Sequence, residues 1–247
     1  MATNALTALI TGGTAGIGRA TANKLAQLGI HVLVVGRNPE RGEKTVKEIR
    51  AAGGKAEFIS SDLRDASSAR QLARRAVELG GGHVDILVNN AGIFPFGPTE
   101  ETKEETFDNV YSVNVKVPYF LVAELAPLMA NRGKGTIVNV STMVADFGMP
   151  GMSLYSSTKA AINLLTKAWA AEYGPRGVRV NAVSPGPTRT EGTDAMGEGL
   201  EQLAAQAPAR RPATPDEIAE AIVFLATDRS SFIHGAKLAV DGGRTAV

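Results

Sequence analysis

The run Leu6-Thr7-Ala8-Leu9-Ile10-Thr11-Gly12-Gly13-Thr14-Ala15-Gly16-Ile17-Gly18 decides how the chain folds. Leu6 to Ile10 is short and apolar without polar alternation, which predicts a strand buried on both faces of a parallel sheet. A helical pattern follows from about Ile17 to Leu28. Strand, glycine-rich turn and helix N-terminus in that order can offer backbone N–H groups and a positive dipole end to a pyrophosphate. Gly12 is expected to allow the tight turn, Gly16 a close backbone approach and Gly18 packing of the helix on the sheet. Thr14 and Ile17 complete the candidate binding turn. The spacing is GxxxGxG, not the commoner GxGxxG.

Outward from that turn, His31 to Val35 predicts a second strand ending at Gly36-Arg37-Asn38. Many NAD-binding folds place an acidic residue here for the ribose 2′-hydroxyl, whereas an arginine suits a 2′-phosphate. Arg37, with Asn38 beside it, therefore points to NADP(H) over NAD(H), although an arginine before a helix also reads as ordinary surface. Ala56 to Ser60 predicts a third strand, with Asp62 and Leu63 placed to hold an adenine ring. Ile86 to Val88 predicts a fourth, running into Asn89-Asn90-Ala91-Gly92, whose small residues allow a close turn beside a cofactor. Helical segments near 39–52 and 65–79 separate these strands. The alternation predicts a doubly wound parallel sheet.

The second half continues with a helical stretch of about 103–130, interrupted in pattern by Pro118 and Pro127 and carrying Asn114 in its interior. Thr136 to Val140 is a fifth strand ending in Ser141-Thr142, hydroxyls at the carboxyl end where such sheets bind ligands. A helix then carries Tyr155-Ser156-Ser157-Thr158-Lys159. Four residues apart, phenol and ammonium share one helix face, and a neighbouring cation favours the phenolate. By itself such a pair also describes a half-buried tyrosine and a solvated lysine. Arg179 to Val183 is a sixth strand, leading into Ser184-Pro185-Gly186-Pro187-Thr188-Arg189-Thr190. Residues 191–211 show no firm periodicity and are expected to form a mobile segment with a short helix serving as a substrate lid. Thr214 as N-cap and Pro215 at the first position start a further helix. Lys237 to Val240 is a seventh strand before Asp241-Gly242-Gly243.

The 247 residues are 44% hydrophobic and 21% charged and include 27 glycines, which suits one α/β domain over 1–247 with many strand-to-helix turns. A net charge of +1 provides no field for nucleic acid or an anionic membrane, so neither is expected as a partner. There is no cysteine, which excludes disulfides and thiolate chemistry. His31, His83 and His234 show no ligand spacing, and no metal site is expected. Met1-Ala2-Thr3-Asn4-Ala5 begins no basic region with a long apolar run, and no stretch approaches a membrane span in length, so a cytoplasmic setting is expected.

Taken together, Thr11 to Gly18, Asn89 to Gly92, Asn114, Tyr155 with Lys159, Pro185-Gly186 with Thr190, and Val240 to Gly243 resemble the short-chain dehydrogenase/reductase family over essentially the whole chain. The resemblance implies a single-domain Rossmann fold with a seven-stranded parallel sheet, and a homotetramer. It implies catalytic roles for Asn114, a hydroxyl residue, Tyr155 and Lys159. The hydroxyl, usually Ser, lies thirteen residues before the tyrosine; here that position is Thr142, with Ser141 one residue earlier as the substitute. Lys159 is implied to bind the nicotinamide ribose, Asn114 to hold a water, and Thr188 and Thr190 to fix the carboxamide. The expected reaction is hydride transfer between NADP(H) and a carbonyl or carbinol carbon, with Tyr155 as general acid or base.

The overall pattern is similar to 3-oxoacyl-carrier-protein reductases and to ketone/alcohol dehydrogenases. Phe94, Phe96, Val144, Met149 and Met152 are the candidate substrate pocket, and Arg132, Arg189, Arg210 and Arg211 are candidates to receive an acidic carrier protein. A non-catalytic dinucleotide-binding sensor or scaffold is the alternative, since fold does not fix function.

Overall fold

The computed structural model describes residues 6–247; Met1 to Ala5, read above for targeting signals, lie outside the described residues. Seven strands, β1 (Thr7–Thr11), β2 (His31–Gly36), β3 (Ala56–Ser60), β4 (Ile86–Asn89), β5 (Gly135–Val140), β6 (Val178–Pro185) and β7 (Lys237–Val240), form one sheet in the order β3-β2-β1-β4-β5-β6-β7. Every pairing is parallel. The helices are α1 (Gly16–Gln27), α2 (Pro39–Ala51), α3 (Ala66–Leu79), α4 (Glu104–Tyr111), α5 (Val117–Asn131), α6 (Ser153–Tyr173), α7 (Glu198–Ala204) and α8 (Pro215–Ala226).

The central strands are apolar throughout because both of their faces are covered. Leu9, Leu33, Leu87 and Ile137 point into a core shared with α3, α5 and α6. Their neighbours Ile10, Val34, Val88 and Val138 point the other way, into a core shared with α1, α2 and α8. Side chains alternate across a strand, so one five-residue run feeds two cores. Each fully buried Leu or Ile stabilises by about 1.5–3 kcal/mol relative to exposure.

Two expectations need correction. Pro127 does not interrupt its helix: α5 runs through it to Asn131, and Pro118 lies inside the continuous helical run as the second residue of α5. The interruption comes earlier, as a π-helical turn at Ser112–Lys116 that contains Asn114. The continuous helical run Glu104–Asn131 is also long and apolar enough, by length and composition, to cross a membrane, contrary to the sequence reading. Half of that apolar window is buried inside the protein, with Leu121, Leu125 and Met129 packed in the core, so its hydrophobicity is spent on the fold.

Candidate active site

The strand order reverses beside β1, which has β2 on one side and β4 on the other. Loops leaving the carboxyl ends of β1 and β4 therefore diverge and open a crevice. The glycine turn forms one wall. Gly12 and Gly16 adopt left-handed φ values of 64° and 49°, which favour glycine. Gly18 has a different task from the one expected: a Cβ there would lie 2.2 Å from the Gly12 carbonyl oxygen and 2.5 Å from Asn90 Nδ2. It lets the turn curl back over the first coil of α1. Asn90 fastens that turn, with Nδ2 donating to the carbonyls of Thr11 (2.9 Å) and Gly12 (3.1 Å). The N–H groups of Asn90 and Ala91 both donate to Thr11 Oγ1 at 3.0 Å. Ala15, the N-cap of α1, supplies no side-chain acceptor, so the first-turn N–H groups are free of a local cap.

Opposite stands α6. Tyr155 and Lys159 both line a cleft of about 730 Å³, as do Ser141 and Thr142 from the end of β5. The Thr142 hydroxyl opens on the same cleft as the Tyr155 phenol and favours its ionised form. Ser141 is buried, and its hydroxyl has no hydrogen-bond partner among the described residues. Lys159 Nζ donates to the Val140 carbonyl at 2.8 Å and lies 5.8 Å from the Tyr155 ring centroid. Burial pushes the Tyr155 phenol up to about 12, against the lowering effect of the Thr142 hydroxyl. Burial also pushes Lys159 down to about 8. Loss of solvent, which disfavours both charged forms, raises the phenol, contrary to the expected lowering by Lys159.

Asn114 is buried in its π-helical turn and clamps the backbone of Ile93, accepting from its N–H at 2.9 Å and donating to its carbonyl at 2.8 Å. Gly92 lies between this clamp and the lysine: a Cβ there would sit 3.3 Å from Asn114 Oδ1 and 3.4 Å from Lys159 Nζ. The floor of the cleft is made by Pro185 and Gly186 at the end of β6, followed by Thr188 and Thr190. Gly186 must lack a side chain because Asp241 Cα would meet its Cβ at 2.7 Å. Thr193, not singled out in the sequence, shapes this loop by donating to the Thr188 carbonyl at 2.8 Å and accepting from the Thr190 N–H at 2.9 Å.

Arg37, Asn38, Asp62, Leu63 and Thr14 are not among the residues that line this cleft. Arg37 is exposed just past β2. Asn38 caps α2 by accepting from the Arg41 N–H at 2.9 Å. Asp62 is exposed and pairs with Arg64 at 3.6 Å, while Leu63 is buried in the core beside α3. Thr14 packs on Gly36, where a Cβ would come within 2.5 Å of its methyl carbon. The expected lid is folded: a short 3₁₀ turn at Asp194–Met196 leads to α7, with Leu200 and Ala204 buried. Glu191, also missed in the sequence, reaches Gly16 across the cleft.

These residues fit a dinucleotide. The turn has left-handed glycines, the N-cap residue of α1 supplies no side-chain acceptor, and Gly92 leaves room that a Cβ would fill. A family model described as enoyl-(acyl carrier protein) reductase matches residues 12–245. A solved short chain dehydrogenase/reductase family protein superposes with a TM-score of 0.92 at 47% identity, covering 100% of both chains. The chain belongs to the short-chain dehydrogenase/reductase family. Within that family it is 36% identical, over 95% of its own length and 96% of the relative's, to the 3-oxoacyl-[acyl-carrier-protein] reductase FabG of Thermotoga maritima. It is 33% identical, over 98% of both chains and with a TM-score of 0.92, to a blue fluorescent protein from a metagenomic library solved in complex with NADPH.

Proposed function

We propose that this oxidoreductase is an NADP(H)-dependent reductase of neutral, largely apolar ketones. The observation that carries the reading is that Thr142, Tyr155 and the buried Lys159 together line one apolar cleft. When bound, NADPH supplies the hydride that adds to the carbonyl carbon. The chain supplies everything else. Thr142 holds the carbonyl oxygen by hydrogen bonding, and Tyr155 gives it the proton that completes the alcohol. Burial keeps the phenol protonated, which suits reduction. Lys159 is the nearest cation to the phenolate left behind, and the space between Asn114 Oδ1 and Lys159 Nζ suits a water that returns the proton. Gly12, Gly16, Ile17 and Gly18 would hold the pyrophosphate. Asn90, Ala91 and Gly92 would line the nicotinamide side with Pro185, Gly186, Thr188 and Thr190. Arg37 with Asn38 would meet the 2′-phosphate, and Asp62 with Leu63 the adenine.

The substrate class follows from what lines the cleft. Phe94 packs edge-on against Tyr155 with centroids 6.1 Å apart, and Phe96, Val144, Met149 and Met152 continue the surface. Its charged residues are Lys159 and Glu191 alone. Away from the Ser141, Thr142, Tyr155 and Lys159 group, the Phe94, Phe96 and methionine wall offers a carboxylated or polyhydroxylated substrate few partners for the water it would lose. Carrier-protein docking draws less support, because three of the four candidate arginines are already paired: Arg132 with Asp85, Arg189 with Glu201 and Arg211 with Glu217. A homotetramer in the cytoplasm completes the proposal; a monomer in sedimentation velocity would contradict the assembly.

The test is NADPH and NADH oxidation against cyclic and aryl ketones, β-keto esters, a 3-oxoacyl thioester, an enoyl thioester and a sugar acid, with Tyr155→Phe as control. Turnover of the apolar ketones, lost in the control by a factor of roughly 10² to 10⁴, supports the reading. Cofactor binding without turnover across the panel would favour a sensor.

A further inference from the structure

The segment after Thr190 makes a contact that a substrate lid alone does not require. Glu191 Oε2 accepts the Gly16 N–H at 2.9 Å, and Oε1 lies 2.8 Å from Arg19 Nη2. Gly16 opens α1, whose N-cap residue provides no side-chain bond and whose first turn contains no acid. Helix-start N–H groups carry partial positive charge and draw anions. Glu191 therefore acts as the missing cap of α1 from 175 residues along the chain. Gly16 makes the approach possible, since a Cβ there would stand 3.0 Å from Thr190 Cγ2. Burial pushes the Glu191 carboxyl up, but its bonds to backbone N–H groups and Arg19 hold it below the usual range, so it is ionised at neutral pH.

A carboxylate and a dinucleotide phosphate at this helix start call on the same donors. We propose that Glu191 is a built-in competitor for the cofactor's phosphate, which latches the 191–204 segment onto α1 and yields its place at Gly16 when the dinucleotide binds. The inference rests on the dinucleotide reading above. Coupling of this kind is reciprocal: whatever draws Glu191 away from α1 favours the cofactor, and the cofactor favours release of the segment.

The experiment compares wild type, Glu191→Gln and Glu191→Ala. The alanine variant serves because a glutamine oxygen can still accept from Gly16. NADPH Kd is measured by fluorescence titration, and hydrogen exchange of the amides at 194–204 is followed without and with NADPH. The expected result is NADPH bound roughly fivefold or more tightly by the variants. Exchange in the cofactor-free variants should approach that of the NADPH-bound wild type. An unchanged or weaker Kd in both variants overturns the competition, and unchanged exchange overturns the latch. A wild type that binds no dinucleotide at all sinks the functional reading itself, a result distinct from either.

Discussion

Lys159 and Tyr155 lie one helical turn apart, yet burial moves them in opposite directions, the amine down to about 8 and the phenol up to about 12. If Lys159 acts as the cation beside the phenolate, its charge is lost as pH rises through about 8. Reductive kcat/KM should therefore fall above that pH, and Lys159→Met should lower the plateau and remove the descending limb. A profile flat to pH 10 in the wild type would rule out that role. Arg37 is exposed and free to meet a phosphate, so Arg37→Ala should lower kcat/KM with NADPH by roughly tenfold or more, in line with the loss of a charged hydrogen bond, while leaving NADH nearly unchanged. Equal losses with both cofactors would return Arg37 to ordinary surface. At this scale the sequence showed residues whose chemistry is intrinsic, such as Tyr155, Lys159 and Asn114. Glu191 was illegible because its meaning depends on a partner 175 residues away.

Among elements, the β1–turn–α1 unit carries the sharpest prediction. Its strand, glycines and helix were readable because each is encoded locally, but the use of Gly18 was not: only the folded turn brings the Gly12 carbonyl within 2.2 Å of a Cβ at that position. A backbone oxygen cannot swing aside as a side chain can, so Gly18→Ala must open the turn. The variant should lower Tm and weaken NADPH binding by at least tenfold by titration; native-like values for both would show the contact to be relaxed cheaply. The α4–α5 region was misread for a related reason. Proline propensity suggested breaks at 118 and 127, whereas the irregularity falls at Asn114, a poor helix former, whose side chain clamps Ile93.

For the molecule as a whole, a doubly wound parallel sheet followed from βα alternation and the apolarity of the strands, whereas its order, with the reversal beside β1, is seen only in the folded sheet. The cleft at the reversal beside β1 came with that order. The surroundings of His31 did not. It is buried at the start of β2, and burial first, then Lys55, lowers its pKa, against the raising effect of Glu57. The unfolded chain takes up a proton near pH 6.5 that the folded one refuses, so stability is full above that value and is lost as pH falls below it toward the lower folded pKa. The slope from this one group is at most about 1.4 kcal/mol per pH unit. Denaturant midpoints should decline from pH 7 to pH 5, and His31→Gln should flatten the decline. An identical slope in the variant would assign the acid sensitivity elsewhere.

The contact between Thr14 and Gly36 bears on how such a protein can change its cofactor over generations. An acid entering at 36 meets the Thr14 methyl carbon 2.5 Å from its first carbon, before its carboxylate reaches any ribose. On the NADP(H) reading, an acid at 36 therefore requires the Thr14 side chain to turn away, and a smaller residue at 14 removes that cost. A library that varies 14 and 36 together should therefore return more NAD(H)-using variants than one restricted to the end of β2.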